Sequence, residues 1–381
     1  MRTVVLGACG AVGREVTAGL TRSSEFDEID LVDLDGRRLR EAVRAHGGRM
    51  KARRLDASDP SALRGAIRGA GLVINCTTYR LGVPVLSAAI SERVDYIDLG
   101  GLYNTPLQLE ADRRARRAGI TAVIGCGATP GLSNVLVRRA ANRLDRTREV
   151  HISFASHRDL APSPGLLDTI LDEFRPGVAR FTWRNGHYRE VRPFDGARRV
   201  RFPVPVGLQE VYYVPHSETY TLPLSLANGL REVAVRGAWR PGHMRALRML
   251  SNLGLTSDQP VRVQGRAVRP LDVLRAVLLE DPPSEPGAPW AFFLHVEVIG
   301  TRMAAPATIT LRASHPPSWG KDATGRMTAI PAIVGAELLR RGEVAGPGVL
   351  PPEQAFDPDR FVAEVRRRGV RVTSRNAGGA A

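Results

Sequence analysis

The stretch Gly7-Ala-Cys-Gly-Ala-Val-Gly13 constrains this chain more than any other part of it. Before it, Thr3-Val-Val-Leu6 reads as a short buried strand. After it, Val12, Val16 and Leu20 recur at helical spacing. In a strand–turn–helix of this kind, Gly7 permits the tight turn and Gly13 lets helix and strand pack closely. Gly10 leaves no Cβ where the backbone would approach a pyrophosphate. The helix then turns its unpaired N–H groups and positive dipole end toward the phosphates. The spacing is GxxGxxG, a variant of the common GxGxxG, so the strand–turn–helix context carries the reading. Gly7, Cys9, Gly10, Ala11, Val12 and Gly13 are expected to line a site for NAD or NADP.

The chain continues in the same rhythm to about residue 125. Strand candidates at Thr3–Gly7, Ile29–Leu34, Lys51–Leu55, Leu72–Cys76, Tyr96–Leu99 and Thr121–Gly125 alternate with helical patterns. That alternation predicts a doubly wound parallel sheet, a Rossmann domain, whose strand ends line the ligand crevice. Asp33 ends the second strand twenty residues after Gly13. An acidic side chain there takes the adenosine ribose hydroxyls and favours NAD, whereas Arg37 and Arg38 close by offer counter-charge to a 2′-phosphate. Asp56 and Ala57 follow the third strand at the adenine edge. Asn75 and Thr77, after the fourth, are candidates for the nicotinamide ribose. Tyr79 and Asp98 are candidates for the catalytic side, and a capping role for Asp98 stays open. Gly100 and Gly101 would let a substrate approach the backbone.

After about residue 130 longer strands take over: Glu149–Ala155, Arg180–Arg184, His187–Val191, Val211–Val214, Glu232–Arg236, Phe292–Gly300 and Ala307–Leu311. Asn185-Gly186 between two of them signals a type I′ hairpin. Helical patterns intervene at Gly165–Glu173, Met244–Leu253 and Leu271–Leu279. The fold class is therefore α/β, with a second α+β domain built on a largely antiparallel sheet. Residues 1–130 are expected to form the Rossmann domain and 131–325 the second domain. Residues 326–375 supply C-terminal helices, Thr328–Arg341 and Pro358–Arg368. The proline- and glycine-rich stretch Asp281–Pro289 reads as a surface loop, and Asn376–Ala381 as a disordered tail.

Composition narrows the function classes. The chain has 381 residues and a hydrophobic fraction of 43%, enough for two ordinary cores. No apolar run approaches the length of a membrane span, and the first one is too short for a signal peptide. A formal charge of +15 raises the question of nucleic acid. The charge is almost all arginine spread along the chain, without the aromatic interleaving of a nucleic-acid surface. Three cysteines, Cys9, Cys76 and Cys126, are spaced for neither a zinc site nor a disulfide framework. No metal is expected, and a cytoplasmic setting is.

Beyond the sixth strand, Cys126-Gly-Ala-Thr-Pro-Gly-Leu-Ser-Asn134 opens another helix, with Pro130 suited to its first turn. This stretch, with GACGAVG, VINCTTY, DLGG, MTAIPAIVGAELLRRGEV and GVLPPEQAF, resembles the saccharopine dehydrogenase (saccharopine reductase) and lysine 6-dehydrogenase family along essentially the whole chain. The resemblance implies a substrate-binding and dimerising second domain, a homodimer, and a return of the last helices to the Rossmann domain. It also implies NAD(P)-dependent hydride transfer at a carbon bearing nitrogen, on an amino-acid-like or polyamine-like amine. Thr129 and Pro130 would then stand on the substrate side. Thr129 replaces the aspartate of saccharopine reductase at that position. Gly100-Gly101 replaces its Ser-Tyr pair, which is nearer the lysine 6-dehydrogenase pattern.

Within the second domain, Pro215-His-Ser-Glu-Thr-Tyr220 brings an imidazole, a carboxylate and a phenol together. An amine that gives up hydride must first lose a proton, and a neutral histidine suits that step. His216 is the proton-acceptor candidate, with Glu218 and Tyr220 on the substrate side. A turn that caps the next helix is the competing reading. A non-catalytic NAD(P)-binding scaffold is the competing function.

Overall fold

Each expected strand of the N-terminal half exists, and each stops one or two residues short of its expected end. The computed structural model describes residues 1–100, 104–226, 229–281, 285 and 287–377. Its strands are β1 Arg2–Leu6, β2 Glu28–Asp33, β3 Met50–Arg54, β4 Leu72–Asn75, β5 Asp95–Asp98 and β6 Thr121–Val123. Gly7, at φ +74°, makes one more bond to the neighbouring strand, its N–H donating to Val32 O at 2.8 Å, and turns the chain after β1. Every pairing in this sheet is parallel, with Val5 opposite both Leu31 and Ile74. The order is Gly348–Leu350, β6, β5, β4, β1, β2, β3. The direction of winding reverses beside β1, which places a ligand crevice at the carboxyl ends of β1 and β4. The outermost strand, Gly348–Leu350, was absent from the expectation, because three residues carry no readable period.

Packing divides the chain differently from the expected boundaries. One unit comprises Met1–Asp145, His216–Ala227 and Gly325–Val372; the other comprises Arg146–Pro215, Asn228–Thr324 and Thr373–Ala381. The helix Leu132–Ala141 and the segment from His216 were expected in the second domain, and both cluster with the parallel sheet instead. Buried side chains supply the reason. Asn134 Nδ2 donates to Thr221 Oγ1 (3.1 Å) and to Glu353 Oε2 (2.9 Å), and Arg138 donates to the carbonyls of Ser225 and Glu353. The helix Ala323–Arg340 lies against the glycine-loop helix, α1 (Ala11–Thr21), where a Cβ on Gly19 would overlap Ile333.

The second unit is a mixed sheet around the long strands Arg146–His157 and Ala291–Arg302, which pair antiparallel. Glu232–Trp239 runs parallel to the first of these. Asn185 and Gly186 have φ of 50° and 84°, as a type I′ turn demands, and Arg184 pairs with His187 across it. Helices Pro164–Phe174, Pro241–Asn252 and Pro270–Glu280 each begin on a proline, one to three residues ahead of the expected starts. Proline lacks the N–H that a first turn leaves unpaired anyway. Phe154, Trp239 and Phe174 pack edge to face in the core. Residues 282–284 and 286 of the expected loop, and 378–381 of the expected tail, lie outside the described residues. Arg371–Ala377 is a strand, so Asn376 and Ala377 of the expected tail are strand residues instead.

Candidate active site

The glycine loop is closed to a side chain from within at two positions and tight at the third. A Cβ on Gly13 would stand 2.1 Å from Gly7 O, and one on Gly7 would stand 2.7 Å from Cys76 O. Gly10 caps α1 in an extended conformation, with no side-chain cap over the N–H groups of the first turn. A Cβ there would stand 3.3 Å from Gly7 O, a tight approach but a milder one than at the other two glycines. The loop fits a dinucleotide: a side-chain-free cradle below a helix N-terminus, with Ala11 and Val12 opening the helix.

Asp33 ties the second strand to this loop. Its Oδ2 accepts the Cys9 N–H (2.8 Å) and its Oδ1 the Asp35 N–H (3.1 Å). The cap of the next helix, Gly36–His46, is Asp35, which accepts from the N–H groups of Arg37 and Arg38. Asp33 is therefore not the cap. Burial and the carboxylates of Asp33 and Asp35 push the Cys9 thiol up to about 12, so it stays protonated. Asp56 is an exposed turn residue that accepts from Ser58 N–H, with Ala57 buried behind it.

At the end of β4, Asn75 is buried. Its Oδ1 accepts from the backbone (3.1 Å) and hydroxyl (2.5 Å) of Thr77, and its amide donates to Tyr96 Oη. Asn75 thus aims Thr77. Tyr79 starts a single 3₁₀ turn, with the Arg80 guanidinium 5.5 Å over its ring. Asp98 is 4% exposed and accepts four hydrogen bonds: Gly100 N–H and Gly125 N–H on Oδ1, Tyr96 Oη and Gln108 Nε2 on Oδ2. With every oxygen lone-pair direction used, this carboxylate locks the β5 and β6 turns together. Gly100, at φ +96°, has its Cβ position filled by the Pro130 ring at 2.5 Å, so glycine is required there by packing. Gly101 lies outside the described residues.

The third group of side chains gathers around the loop after β6. Thr129 Oγ1 donates to Glu218 Oε1 at 2.7 Å and lies 3.3 Å from His216 Nδ1. Ser133 Oγ donates to the same Glu218 oxygen at 2.6 Å, and Glu218 Oε2 faces His216 Nδ1 at 3.6 Å. All four belong to the first unit. Glu218 is fully buried. Burial raises its carboxyl, but the bonds from His216, Ser133 and Thr129 outweigh that and hold it below the usual carboxylate range. Pro130 lies outside the first helical turn expected for it. The helix starts at Leu132, and its cap is Gly131 at φ +126°, whose N–H goes to Asn134 Oδ1 (2.9 Å). Tyr220 sits half-buried on the helix Glu218–Ser225.

Residues 3–123 match the family described as saccharopine dehydrogenase NADP binding domain, and residues 127–370 the one described as saccharopine dehydrogenase C-terminal domain. The chain belongs to the saccharopine dehydrogenase family. It is an NAD(P)-dependent oxidoreductase acting at amine groups. It is 23% identical to the carboxyaminopropylagmatine dehydrogenase of Synechocystis, over 97% of this chain and 96% of that one. It is 25% identical to the carboxynorspermidine synthase of Vibrio cholerae, over 82% and 80%. In fold it matches a saccharopine dehydrogenase (L-Glu forming) of Saccharomyces cerevisiae, with a TM-score of 0.74 at 16% identity over 99% of both chains. A homospermidine synthase of Legionella pneumophila, solved with NAD, matches at 0.67 and 16% identity, over 99% of this chain and 91% of that one.

The family's C-terminal motifs also enter the site, which residue-by-residue reading had missed. Asn134, Thr221, Ser225 and Glu353 extend the Glu218 cluster. The readable signal was Asn134 itself, three residues past a glycine at a helix start, where a side chain reaches back to the cap. Arg80 and Arg236, two arginines that could hold a substrate carboxylate, are engaged locally. Arg236 is buried against Tyr213, donating to its hydroxyl at 2.8 Å. Among the described residues no group of three or more His, Cys, Asp or Glu is placed to hold a metal ion, and no helix is long and apolar enough to cross a membrane.

Proposed function

We propose that this chain moves hydride between NAD and the carbon–nitrogen bond of a carboxylated amine of the amino-acid or polyamine type, with His216 as proton acceptor. The observation that carries this is the Thr129–His216–Glu218 contact set. A threonine hydroxyl has one hydrogen, and Thr129 gives it to Glu218. At 3.3 Å from the same oxygen, His216 Nδ1 then supplies the hydrogen of that contact. In the neutral ring Nε2 therefore carries the lone pair, the form a general base needs. An amine of ordinary pKa, about 10.4 for a lysine-like group, must be deprotonated before its carbon gives up hydride. Glu218, ionised and buried, holds the imidazolium that results. Bound nicotinamide supplies the hydride acceptor. Thr129, Pro130, Glu218 and Tyr220 flank the substrate, and Asp98 acts by fixing the turns that carry Gly100 and Pro130. Tyr79 stands on the substrate side of the β4 end.

NAD is preferred in this reading because Asp33 stands at the ribose position. Arg37 and Arg38, which would hold a 2′-phosphate, are already paired with Glu41 (3.0 Å) and Asp35 (3.4 Å). The carboxylated substrate follows the names of the two relatives above. The same reading takes the working form to be a cytoplasmic homodimer, as the family resemblance implies; sedimentation of the purified protein checks the dimer. The deciding experiment follows NAD(P)H absorbance with carboxyalkyl polyamines and basic amino acids in both directions. Turnover of at least one is expected. Tight NAD(H) binding with no turnover across the set would leave the scaffold reading in place.

A further inference from the structure

The start of the helix Pro241–Asn252, in the second unit, gathers donors that the chain leaves unmet. His243 lies in its first turn and is 5% exposed. Among the described residues, neither its Nδ1 nor its Nε2 has a hydrogen-bond partner. A buried imidazole without a partner costs stability, and packing alone would be served as well by an apolar ring. Arg240, the cap of this helix, is buried too, and its Nε is equally unmet. Its Nη2 reaches the carbonyls of Ala288 and Pro289 only at 3.3 Å, and its guanidinium lies 4.9 Å over the Trp290 ring. Arg240 offers no acceptor to the N–H groups of the first turn, which holds no acidic residue. The positive end of the helix is therefore open as well.

One carboxylate stands nearby without closing this site. Glu285 Oε1 is 2.6 Å from where a Cβ on Gly242 would be. The same carboxylate stays 3.8 Å from His243 Nε2 and 3.9 Å from Arg240 Nη1. Those distances give charge attraction and no hydrogen bond. Burial lowers the His243 imidazole, with Arg240 and Arg158 acting in the same sense against Glu285 and Asp159. At neutral pH the ring is uncharged and presents one N–H.

We propose that the start of this helix binds the carboxylate of a small molecule, held by Arg240 and His243. One oxygen takes an N–H of the guanidinium and the other the imidazole N–H, above the open helix end. Glu285 marks where such an anion sits. The carboxylate belongs either to the amine substrate or to a separate small acid. The site rests on the second unit alone; only the substrate as its source rests on the function proposed above.

Acetate is the probe, at fixed ionic strength with chloride as control, followed by magnetic resonance of isotope-labelled histidine rings. One ring's signals should move and saturate, and they should be the ones missing from H243F. Phenylalanine fills the ring volume without the unmet polar atoms. H243F should therefore melt no lower than wild type and lose acetate affinity, followed by calorimetry, by about tenfold or more, the worth of one hydrogen bond to a charged group. R240K keeps the charge without the planar fork and should also weaken acetate. E285Q should bind acetate more tightly, since a competing charge is gone. Absence of any acetate-dependent shift in the wild type would overturn the proposal. So would a lower Tm of H243F with acetate affinity intact, or weaker acetate binding in E285Q. Kinetics separate the two sources. If the substrate supplies the carboxylate, H243F raises KM about tenfold or more for a carboxylated amine and leaves it unchanged for the same amine without the carboxyl. Unchanged KM for both, with acetate affinity lost, assigns the site to a separate acid. Acetate binding does not involve His216, so an unaffected H216A would remove the base assignment and leave this site standing.

Discussion

The glycine loop and the Glu218 cluster are built on opposite principles. The loop is one stretch of seven residues, and its contacts are backbone to backbone: Gly13 against Gly7 O, Gly7 against Cys76 O. The cluster draws on three segments, at Thr129–Asn134, His216–Ser225 and Glu353, and its contacts are side chain to side chain. A dinucleotide presents the same phosphates everywhere, so a local backbone shape serves it. A proton acceptor for one amine needs a set tautomer and a counter-charge, and these come only from groups the fold assembles. The comparison teaches that changes in the loop should read out as cofactor affinity, and changes in the cluster as rate.

The largest effect belongs to the cluster. A positioned general base contributes typically 10²–10⁴-fold. H216A should lower kcat by about that factor, leave NADH affinity where it was, and remove the acidic limb of the pH–rate profile. Steady-state kinetics with calorimetric titration of NADH reads all three. A loss of NADH affinity would break the division between loop and cluster. A drop in Tm with kcat intact would return His216 to a turn-capping role.

Within the loop, two glycines separate fold from function. A Cβ on Gly10 would press on Gly7 O only mildly, at 3.3 Å, whereas one on Gly13 would meet the same oxygen at 2.1 Å. G10V should keep the thermal transition of the wild type and lose NADH affinity by about a hundredfold, the upper range of an overpacking cost of about 1–3 kcal/mol. G13V should fail to fold. Similar Tm losses in both would mean that the glycines serve packing alone.

What the sequence made legible follows the same division. The glycine loop, the alternation of strand and helix, and the hairpin at Asn185-Gly186 are local patterns with periods or fixed turn chemistry, and they could be read directly. The strand Gly348–Leu350 is too short to show a period, and its neighbour in the sheet is more than two hundred residues away in sequence. His216 and Glu218 were readable as chemistry, but not their address. Nothing in residues 211–225 says that Asn134 and Arg138 draw this segment to the parallel sheet. Asp98 was readable as a crevice carboxylate. Two of the four donors that occupy it, Gln108 and Gly125, come from other elements.

A smaller effect tests the cofactor side. Asp33 accepts one backbone N–H per oxygen, from Cys9 of the loop and from Asp35, and a carboxylate keeps capacity for ribose hydroxyls beyond those bonds. A hydrogen bond to a charged group is worth about 1.5–3 kcal/mol. D33S should therefore shift the kcat/KM ratio of NADP to NAD upward by about tenfold or more. A wild-type enzyme that already prefers NADP would show that Arg37 and Arg38 prevail over their present partners.

The smallest effect is on stability, and it sets the two buried carboxylates against each other. Glu218 is held below its ordinary 4.5, so its contribution is present above that pH and fades as pH falls through its folded value. Glu353 is raised above 4.5. The folded state keeps a proton that the unfolded chain gives up, so wild-type stability declines as pH climbs from about 4.5 toward the folded value. Glutamine ionises in neither state. The Tm of E353Q relative to wild type should therefore rise as pH is taken up from about 4.5. The Tm of E218Q relative to wild type should instead fall as pH is taken up through the folded value of Glu218 to about 4.5 and stay level above it, each difference limited to about 1.4 kcal/mol per pH unit. Thermal melts of the three proteins in matched buffers decide it. Slopes of the same sign would mean that burial and hydrogen bonding shift the two carboxyls in the same direction, against the opposite shifts argued for them.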